Sequence, residues 1–251
     1  MRILTIVPTY NERDNLPLLV PAILNIDPDL DVLVVDDNSP DGTGEIADHI
    51  ASQMEGRVKV LHRSGKLGLG KAYVAGFEYA LTHGYDRVIE MDADFSHRPE
   101  DLPSLLSAAA TADVVIGSRN VPGGKTLGWS WVRTLISRGG SLYARLLLRL
   151  PIRDCTGGFK CLSRSALVRL DLEHLLSNGY AFQVEVNYAC HQAGLTFAEV
   201  PITFPDRTAG RSKMSPGIAF EAALLVLRLR LGVAHAAVLP QPVEVVPQEA
   251  A

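Results

Sequence analysis

Short apolar runs alternate along the first half of the chain with segments whose apolar residues recur at helical spacing. Five runs are predicted as strands, at residues 3–7, 31–37, 57–62, 87–91 and 113–117. The β-branched continuity of the second run favours burial on both faces, as in a parallel sheet. The intervening segments predict helices, for example at residues 70–82. This alternation predicts an α/β fold with a doubly wound, mostly parallel sheet.

Polar residues directly follow four of the predicted strands. They lie at residues 8–12, at Asp36 and Asp37, at Asp92 and Asp94, and at Arg119. In a doubly wound sheet, ligands bind beyond the carboxyl ends of the strands. The four strand ends therefore predict one binding site along that edge of the sheet.

Asp92 and Asp94 place two carboxylates at spacing i, i+2 directly after the fourth predicted strand. Carboxylates at that spacing point to the same side of an extended chain, where they repel each other unless a cation lies between them. Mg²⁺ or Mn²⁺ is typically held by one or two carboxylates, while substrate phosphate oxygens fill other positions. The pair therefore predicts a divalent-cation site. The alternative is an acidic loop that faces water or caps a helix beginning near Pro99.

The glycine-rich loop at residues 62–71 resembles a phosphate cradle but matches neither common motif. It lacks the Gly-x-x-x-x-Gly-Lys-Ser/Thr order of a Walker A loop, and the first strand does not lead into Gly-x-Gly-x-x-Gly. A dinucleotide cofactor is therefore not expected. We interpret the glycines as allowing a turn beside a nucleotide, with Lys66 or Lys71 contacting phosphate.

Charge is distributed unevenly, although the net charge of the 251 residues is only −4. Residues 1–118 carry 19 acidic and 9 basic side chains, whereas residues 119–164 carry 9 basic side chains and one acidic one, Asp154. Such a basic block predicts an anionic partner. Nucleic acid is not expected, because these basic residues lie among Leu and Trp and the protein as a whole is acidic. A phosphate-bearing, apolar partner fits better.

Motifs along most of the chain resemble the nucleotide-sugar glycosyltransferases of family two, and more narrowly the polyprenol- or dolichol-phosphate mannose synthases. The resemblance spans residues 3 to about 214 and follows the family's order and spacing. It implies a glycosyltransferase A-type fold with a Rossmann-like nucleotide-binding half. The motifs that carry it are Pro8-Thr9-Tyr10-Asn11-Glu12, Val34-Val35-Asp36-Asp37-Asn38-Ser39, Met91-Asp92-Ala93-Asp94-Phe95-Ser96-His97, Gly117-Ser118-Arg119, Arg133 with Ile136-Ser137-Arg138, Asp154-Cys155-Thr156-Gly157-Gly158-Phe159, and Asp206-Arg207 with Ser212-Lys213.

The resemblance also implies roles for individual residues. Three groups are expected: one that binds the metal, one that binds the acceptor phosphate and one that binds the nucleotide sugar. Ser96, in the metal group, stands where some relatives have Gln. Asp94, Arg119 and Arg133 are the expected catalytic residues. The metal group is Asp92, Asp94 and Ser96; the acceptor-phosphate group is Arg119, Arg133, Ser137, Arg207 and Lys213; the nucleotide-sugar group is Pro8, Tyr10, Glu12, Asp36, Asp37, Lys66, Asp92 and Ala93.

The implied reaction is inverting transfer of mannose from GDP-mannose to a polyprenyl (dolichyl-type) phosphate, with Mg²⁺ or Mn²⁺ as the cofactor. Three alternatives remain open. The donor could be UDP-glucose and the product polyprenyl-phosphate glucose. The acceptor could be a sugar hydroxyl, although no Gln-x-x-Arg-Trp motif is present. The chain could also be a regulator that binds nucleotide without catalysis.

The segment after Arg119 also predicts contact with a membrane surface. Trp129, Trp131 and several leucines interleave there with arginines, as in helices that lie in the interface of anionic membranes. A core-packed helix with snorkelling arginines explains the pattern equally well. The apolar run at residues 218–231 contains Glu221 and two arginines, so we expect a docked or membrane-lying helix rather than a span.

We expect a single glycosyltransferase domain at residues 1–231. Its nucleotide-sugar and metal half is residues 1–118, its acceptor half is residues 119–231, and residues 232–251 form a disordered tail. Three cysteines without metal-ligand spacing and no N-terminal signal predict a cytoplasmic protein with reduced thiols. We expect it to be peripheral at the cytoplasmic face of the membrane. An integral membrane protein could be its partner.

Overall fold

A computed structural model describes residues 1–54, 56–175, 177, 179–206, 216–233 and 237–239. The strands in this part of the chain are β1 (Ile3–Thr9), β2 (Leu30–Asp36), β3 (Val58–His62), β4 (Arg87–Glu90), β5 (Val114–Ser118), β6 (Lys125–Leu127), β7 (Lys160–Ser163), β8 (Phe197–Pro201) and β9 (Thr203–Pro205). Seven of them form one sheet in the order β3-β2-β1-β4-β7-β5-β8, and β6 and β9 form a separate parallel pair. Within the large sheet only β7 is antiparallel to its neighbours.

Helices cover both faces of this sheet, so the predicted doubly wound α/β fold is confirmed. The helices are α1 (Leu16–Leu24), α2 (Thr43–Gln53), α3 (Leu69–Thr82), α4 (Leu102–Ala109), α5 (Trp131–Leu148), α6 (Arg164–Arg169), α7 (Gly179–Gln192) and α8 (Pro216–Arg230), with 3-10 turns at Pro99–Asp101 and Leu172–His174. Successive residues of β1 point to opposite faces: Leu4 and Ile6 belong to the core cluster that includes residues of α3, α5 and α7, whereas Ile3 and Val7 belong to the cluster that includes residues of α1, α2 and α4.

The helix α3 lies unusually close to the first strand. A Cβ atom at Gly76 would lie 2.6 Å from a methyl carbon of Ile6, so only glycine permits this approach. Close packing here brings Tyr73, one turn earlier on α3, beneath the carboxyl edge of the sheet. The glycine thus helps to position a residue of the candidate site.

The five strands predicted from the sequence all appear, with boundaries that shift by up to two residues. The largest shift is at the end of the first strand, and it makes one prediction wrong: Pro8 was predicted to follow this strand, but it does not. It lies inside β1, opposite Val35 of β2, and β1 continues to Thr9. Proline is compatible with this position because it lies near the end of β1, where few ladder hydrogen bonds are lost.

Part of the segment that was predicted to be a disordered tail, residues 237–239, is ordered. They run antiparallel to residues 169–171, with a bridge between Leu170 and Val238 and backbone hydrogen bonds on either side. The prediction of disorder is wrong for these three residues. Residues 234–236 and 240–251 lie outside the described residues.

No helix in the described ranges is both long enough and apolar enough to cross a membrane. The three cysteines, Cys155, Cys161 and Cys190, are buried free thiols. Burial raises the pKa of each thiol, to about 12, 11 and 12 respectively, so these residues are core side chains rather than nucleophiles.

Candidate active site

The loop after β4 carries Asp92 and Asp94 and is closed by its own hydrogen bonds. The backbone N–H of Asp92 donates to Nδ1 of His97 at 2.9 Å. The backbone N–H and the hydroxyl of Ser96 both donate to Oδ1 of Asp94, at 3.1 and 2.5 Å. Phe95 adopts a left-handed φ of 59° at the bend. The two half-buried carboxylates are therefore held in place before any ligand binds.

His97 is the support of this loop, a role that the sequence did not reveal. Its ring is buried, stacks on Phe159 at 4.9 Å between centroids, and meets the edge of Phe204 at 5.5 Å. Because Nδ1 accepts a backbone N–H, that nitrogen carries no proton and the ring is the neutral Nε2–H tautomer. The histidine therefore fixes the backbone of Asp92 without adding charge.

The oxygen donors at this loop fit Mg²⁺ or Mn²⁺. Both cations take carboxylate oxygens and leave positions for substrate phosphate. Tyr73 donates to Oδ1 of Asp92 at 3.3 Å, and burial and then the nearby carboxylates raise the pKa of Tyr73 well above its usual value, so its proton stays on. No cluster of three or more His, Cys, Asp or Glu among the described residues could hold a metal. A cation here would therefore need ligands from water or substrate.

Beneath this loop lies a buried polar network that links β4, β7 and α7. Gln183 donates to Glu90 at 2.7 Å, and the ammonium of Lys160 donates to Asn187 at 3.0 Å. All four side chains are almost fully buried. Burial raises the pKa of Glu90 to about 7, although the charge of Lys160 and the Gln183 hydrogen bond oppose the rise. This network could not be predicted from the sequence, because its members lie up to 97 positions apart.

Asp36 and Asp37 are committed to protein contacts at the end of β2. Oδ1 of Asp36 accepts from the hydroxyls of Thr9 and Ser39, at 3.0 and 2.6 Å. Asp37 accepts from Arg63 at 2.6 Å and from the backbone N–H of Leu67 at 3.2 Å. Both carboxylates are buried. They hold the turn after β2 and the glycine-rich loop against each other.

Tyr10 and Lys66 come together at the same edge of the sheet. The Lys66 ammonium lies over the Tyr10 ring, 3.9 Å from its centroid, so the glycine-rich loop covers the end of β1. Glu12 accepts from the amide of Asn15 at 2.7 Å, and its backbone N–H donates to Thr43 at 2.9 Å. These contacts attach the segment after β1 to α1 and to the start of α2.

Arg119 forms a buried, bidentate ion pair with Asp154. The Arg119 Nε and Nη2 atoms donate to the two carboxylate oxygens at 2.8 and 2.7 Å, and the backbone N–H of Arg119 donates to Oδ2 at 2.9 Å. Burial raises the pKa of Asp154, but the Arg119 guanidinium and further hydrogen bonds outweigh it and hold the pKa below its ordinary value. Arg119 also donates to Thr156 at 3.0 Å. Asp154 was not predicted as a site residue.

Arg133 lies against the same indole as Arg119. Its guanidinium carbon is 3.9 Å from the centroid of Trp129, and that of Arg119 is 5.6 Å away. Arg133 also donates to Asp206 at 2.6 Å. Ser137, one helical turn beyond Arg133 in α5, is buried. Of the five residues predicted for an acceptor phosphate, the structure brings Arg119 and Arg133 to one indole and places Ser137 one turn from Arg133; Arg207 and Lys213 lie outside the described residues.

The model of the family described as "Glycosyl transferase family 2" matches residues 5–170. The chain belongs to this family.

Two relatives within this glycosyltransferase family are similar over most of the chain. An undecaprenyl-phosphate mannosyltransferase of Micrococcus luteus is 51% identical over 228 residues, which cover 91% of this chain and 93% of the relative. A polyprenol monophosphomannose synthase of Mycolicibacterium smegmatis is 47% identical over 226 residues, which cover 90% and 85%. The predicted resemblance to the family and to its lipid-phosphate mannose synthases is confirmed.

Solved structures of a more distant glycosyltransferase share the fold. The glucosyl-3-phosphoglycerate synthase of Mycobacterium tuberculosis, in complex with Mn²⁺, uridine diphosphate and glucosyl-3-phosphoglycerate, superimposes with a TM-score of 0.66 at 21% sequence identity. The match covers 92% of this chain and 80% of that one. The predicted glycosyltransferase A-type fold is therefore confirmed.

In the present chain, three residues that were predicted to bind ligand make contacts within the protein. Asp36 and Asp37 hold the turn after β2, and the Ser96 hydroxyl donates a hydrogen bond to Asp94. Ala93, which lies between Asp92 and Asp94 in the sequence, is buried. The roles assigned to these residues stay predictions, and the geometry favours Ser96 as a support of Asp94.

Proposed function

We propose that the chain transfers mannose, with inversion, from GDP-mannose to a polyprenyl phosphate, yielding polyprenyl-phosphate mannose and GDP. The two relatives named above, each about half identical over nine-tenths of the chain, support this proposal. The observation that carries it in the structure is the pair of guanidinium groups, Arg119 and Arg133, held against one indole. Planar guanidinium forks are suited to hold a phosphate.

The donor diphosphate is proposed to bind at Asp92 and Asp94. When bound there, Mg²⁺ or Mn²⁺ would neutralise the charge that develops on the leaving diphosphate. Ser96, His97 and Tyr73 hold the two carboxylates and their backbone, so little reorganisation is needed on binding. The nucleoside is proposed to lie near Pro8, Tyr10 and Lys66, at the ends of β1 and β2.

The acceptor side of the site is proposed to work by orientation rather than by proton transfer. A hydroxyl acceptor needs a general base, whereas a phosphate acceptor is already anionic at neutral pH. The aromatic side chains Trp129 and Phe204 meet edge to face beside the two arginines, with 5.5 Å between ring centroids. Arg119, held by Asp154, and Arg133 would orient one phosphate oxygen toward the anomeric carbon.

The first test is transfer of radiolabelled mannose from GDP-mannose to a short polyprenyl phosphate, with Mn²⁺ or Mg²⁺ and with EDTA. We expect labelled lipid in the organic phase, and we expect EDTA to abolish its formation. UDP-glucose is the parallel donor. Label from UDP-glucose alone would replace the donor assignment, and binding of GDP-mannose without turnover in the presence of lipid would favour the regulator.

We also propose that the protein binds to the cytoplasmic membrane surface through α5. Several large apolar side chains of this helix are exposed, including Trp131 at 77%, Leu135 at 62% and Leu146 at 68%. A core-packed helix would bury them, so the exposure favours the interfacial alternative. An integral membrane protein could still act as a partner.

Asp206 is expected to compete with the acceptor phosphate for Arg133. Replacing Asp206 by asparagine removes the negative charge from a half-exposed ion pair, and such pairs contribute up to about 1 kcal/mol. We expect the KM for polyprenyl phosphate to fall about two- to fivefold with kcat nearly unchanged.

The control for this change is Asp48→Asn, which removes a carboxylate from another surface pair, with His62. Its KM for the acceptor should stay that of the wild type. A higher acceptor KM in Asp206→Asn would show instead that Asp206 positions Arg133 for phosphate.

A further inference from the structure

A second basic pocket lies beside α5, formed by residues that have no role in the proposed active site. The pocket has a volume of about 400 Å³ and is lined by Asn120, Arg138, Leu142, Arg145 and Arg153. Three of its five lining side chains are guanidinium groups. Arginine remains charged at every physiological pH, so the pocket is permanently cationic.

The three arginines are not neutralised within the part of the chain that the structure describes. None of them forms an ion pair there, whereas Arg119 and Arg133 each have a carboxylate partner. Two carboxylates belong to or contact this segment, and both are engaged elsewhere: Asp154 binds Arg119, and the two oxygens of Glu199 accept the backbone N–H groups of Arg153 and Asp154, at 2.7 and 3.0 Å. The Glu199 carboxylate fixes the backbone of Arg153 at the pocket rim.

Arg138, Leu142 and Arg145 of the pocket lie on a different face of α5 from Arg133. Arg133 and Arg138 are five positions apart in α5, which places them about 140° apart around the helix axis. Arg138, Leu142 and Arg145 follow one another at i, i+4 and i+7 and form a single stripe. A phosphate held by Arg119 and Arg133 is therefore not the phosphate that this stripe would meet.

The arginine stripe lies at the border between two other faces of α5. On one side is the buried face, with Ser137, Ser141, Ala144 and Leu148. On the other side are the exposed apolar residues Leu135 and Leu146, and the exposed Trp131 continues the stripe seven positions before Arg138. Basic side chains at the edge of an apolar face are placed at the depth of lipid phosphates when such a helix lies in a membrane interface.

We propose that this pocket binds the headgroup phosphate of an anionic phospholipid, at a site separate from that of the acceptor phosphate. The inference rests on the membrane contact proposed above, but not on the identity of the sugar donor. Leu142 within the pocket supplies an apolar wall next to the arginines, which suits a phosphate attached to a lipid better than a free anion. The bound lipid would orient the enzyme on the surface where its acceptor lies.

The test compares the wild type with the triple variant Arg138→Gln/Arg145→Gln/Arg153→Gln in vesicle sedimentation. Vesicles contain either phosphatidylcholine alone or phosphatidylcholine with phosphatidylglycerol. Each basic residue near an anionic surface contributes about fivefold in affinity, so the triple variant should bind the anionic vesicles about 100-fold more weakly. The charge-matched control is Arg2→Gln/Arg13→Gln/Lys59→Gln, which removes three exposed charges from the other half of the chain.

We expect the control to bind anionic vesicles within a few-fold of the wild type. Equal losses in the two triple variants, or no preference of the wild type for anionic vesicles, would overturn the proposal. So would calorimetric binding of inorganic phosphate that is lost in the Arg138/Arg145/Arg153 variant, because the pocket would then be a site for free anions.

A separate measurement distinguishes this inference from the proposed function. Mannosyl transfer to a short, water-soluble polyprenyl phosphate is followed without vesicles, and the Arg138/Arg145/Arg153 variant should keep the wild-type KM and kcat. A raised acceptor KM in this assay would assign the pocket to the acceptor site instead. If the wild type shows no transfer at all, the proposed function fails while the vesicle result still stands on its own.

Discussion

Replacing Asp94 by alanine is expected to lower the rate of mannosyl transfer by about 10²- to 10³-fold, the range observed when one preorganised electrostatic group is removed from an active site. Asp94 accepts two hydrogen bonds from Ser96, so its position is set by the protein before substrate arrives. Without its carboxylate, Asp92 alone would have to hold a cation on the donor diphosphate. The measurement is the initial rate of transfer from GDP-mannose over a range of Mn²⁺ concentrations.

The matched control is Ser96→Ala, which keeps the carboxylate but removes one hydrogen bond to it. We expect a loss of about tenfold or less, since a hydrogen bond to a charged group contributes about 1.5 kcal/mol. Thermal unfolding should show that both variants are folded, because Asp94 is half-buried in a loop and lies outside the core. Wild-type activity in Asp94→Ala would remove the basis for a metal site at this loop.

Replacing Asp154 by alanine is expected to lower the free energy of unfolding by about 3–5 kcal/mol, the usual cost of removing one partner of a buried ion pair. Arg119 would then keep a buried charge without the carboxylate that binds it through three hydrogen bonds. Arg119 would also lose its fixed orientation against Trp129, so acceptor use should fall along with stability. Urea unfolding at neutral pH measures the first effect, and the acceptor KM measures the second.

The double variant Arg119→Met/Asp154→Leu tests the cause of this loss. Removing both charges leaves no unpaired ion, so the double variant should be more stable than Asp154→Ala although it is inactive. If the two variants are equally destabilised, lost packing rather than an isolated charge is responsible.

The stabilisation from Asp154 should also depend on pH. Because its folded-state pKa is depressed, the carboxylate stabilises the fold fully above the pKa of an unfolded aspartate. This contribution is lost as the pH falls through the folded-state pKa. The difference in unfolding free energy between wild type and Asp154→Ala should therefore shrink in acid.

The carboxyl edge of the sheet could be predicted because the signals for it are local. Asp92 and Asp94 follow an apolar run, Asp36 and Asp37 end another, and parallel strands bring such ends to one edge. What these carboxylates contact could not be predicted. Thr9 and Ser39 are unremarkable in type, while Arg63 and Tyr73 are distant in sequence and reach the edge only through the packing of the glycine-rich loop and α3.

The structure of the second half of the chain was harder to predict from the sequence. β7 enters the sheet antiparallel, between β4 and β5, although it follows both in the chain. That insertion places Asp154, just before β7, beneath Arg119. A lone aspartate in a basic segment gives no sign of this pairing, because the ion pair joins residues 35 positions apart.

The sequence by itself determined the alternation of strand and helix, the family, the acidic loop and the basic segment, because periodicity and motifs are properties of short stretches. Only the tertiary structure decided which charges are neutralised and which remain open. Asp154 and Asp206 neutralise Arg119 and Arg133, whereas Arg138, Arg145 and Arg153 converge on a pocket with no carboxylate partner in the described residues. The reason is physical: an ion pair forms wherever folding brings two charges within a few ångströms, and that distance depends on strand order and helix packing rather than on separation along the chain.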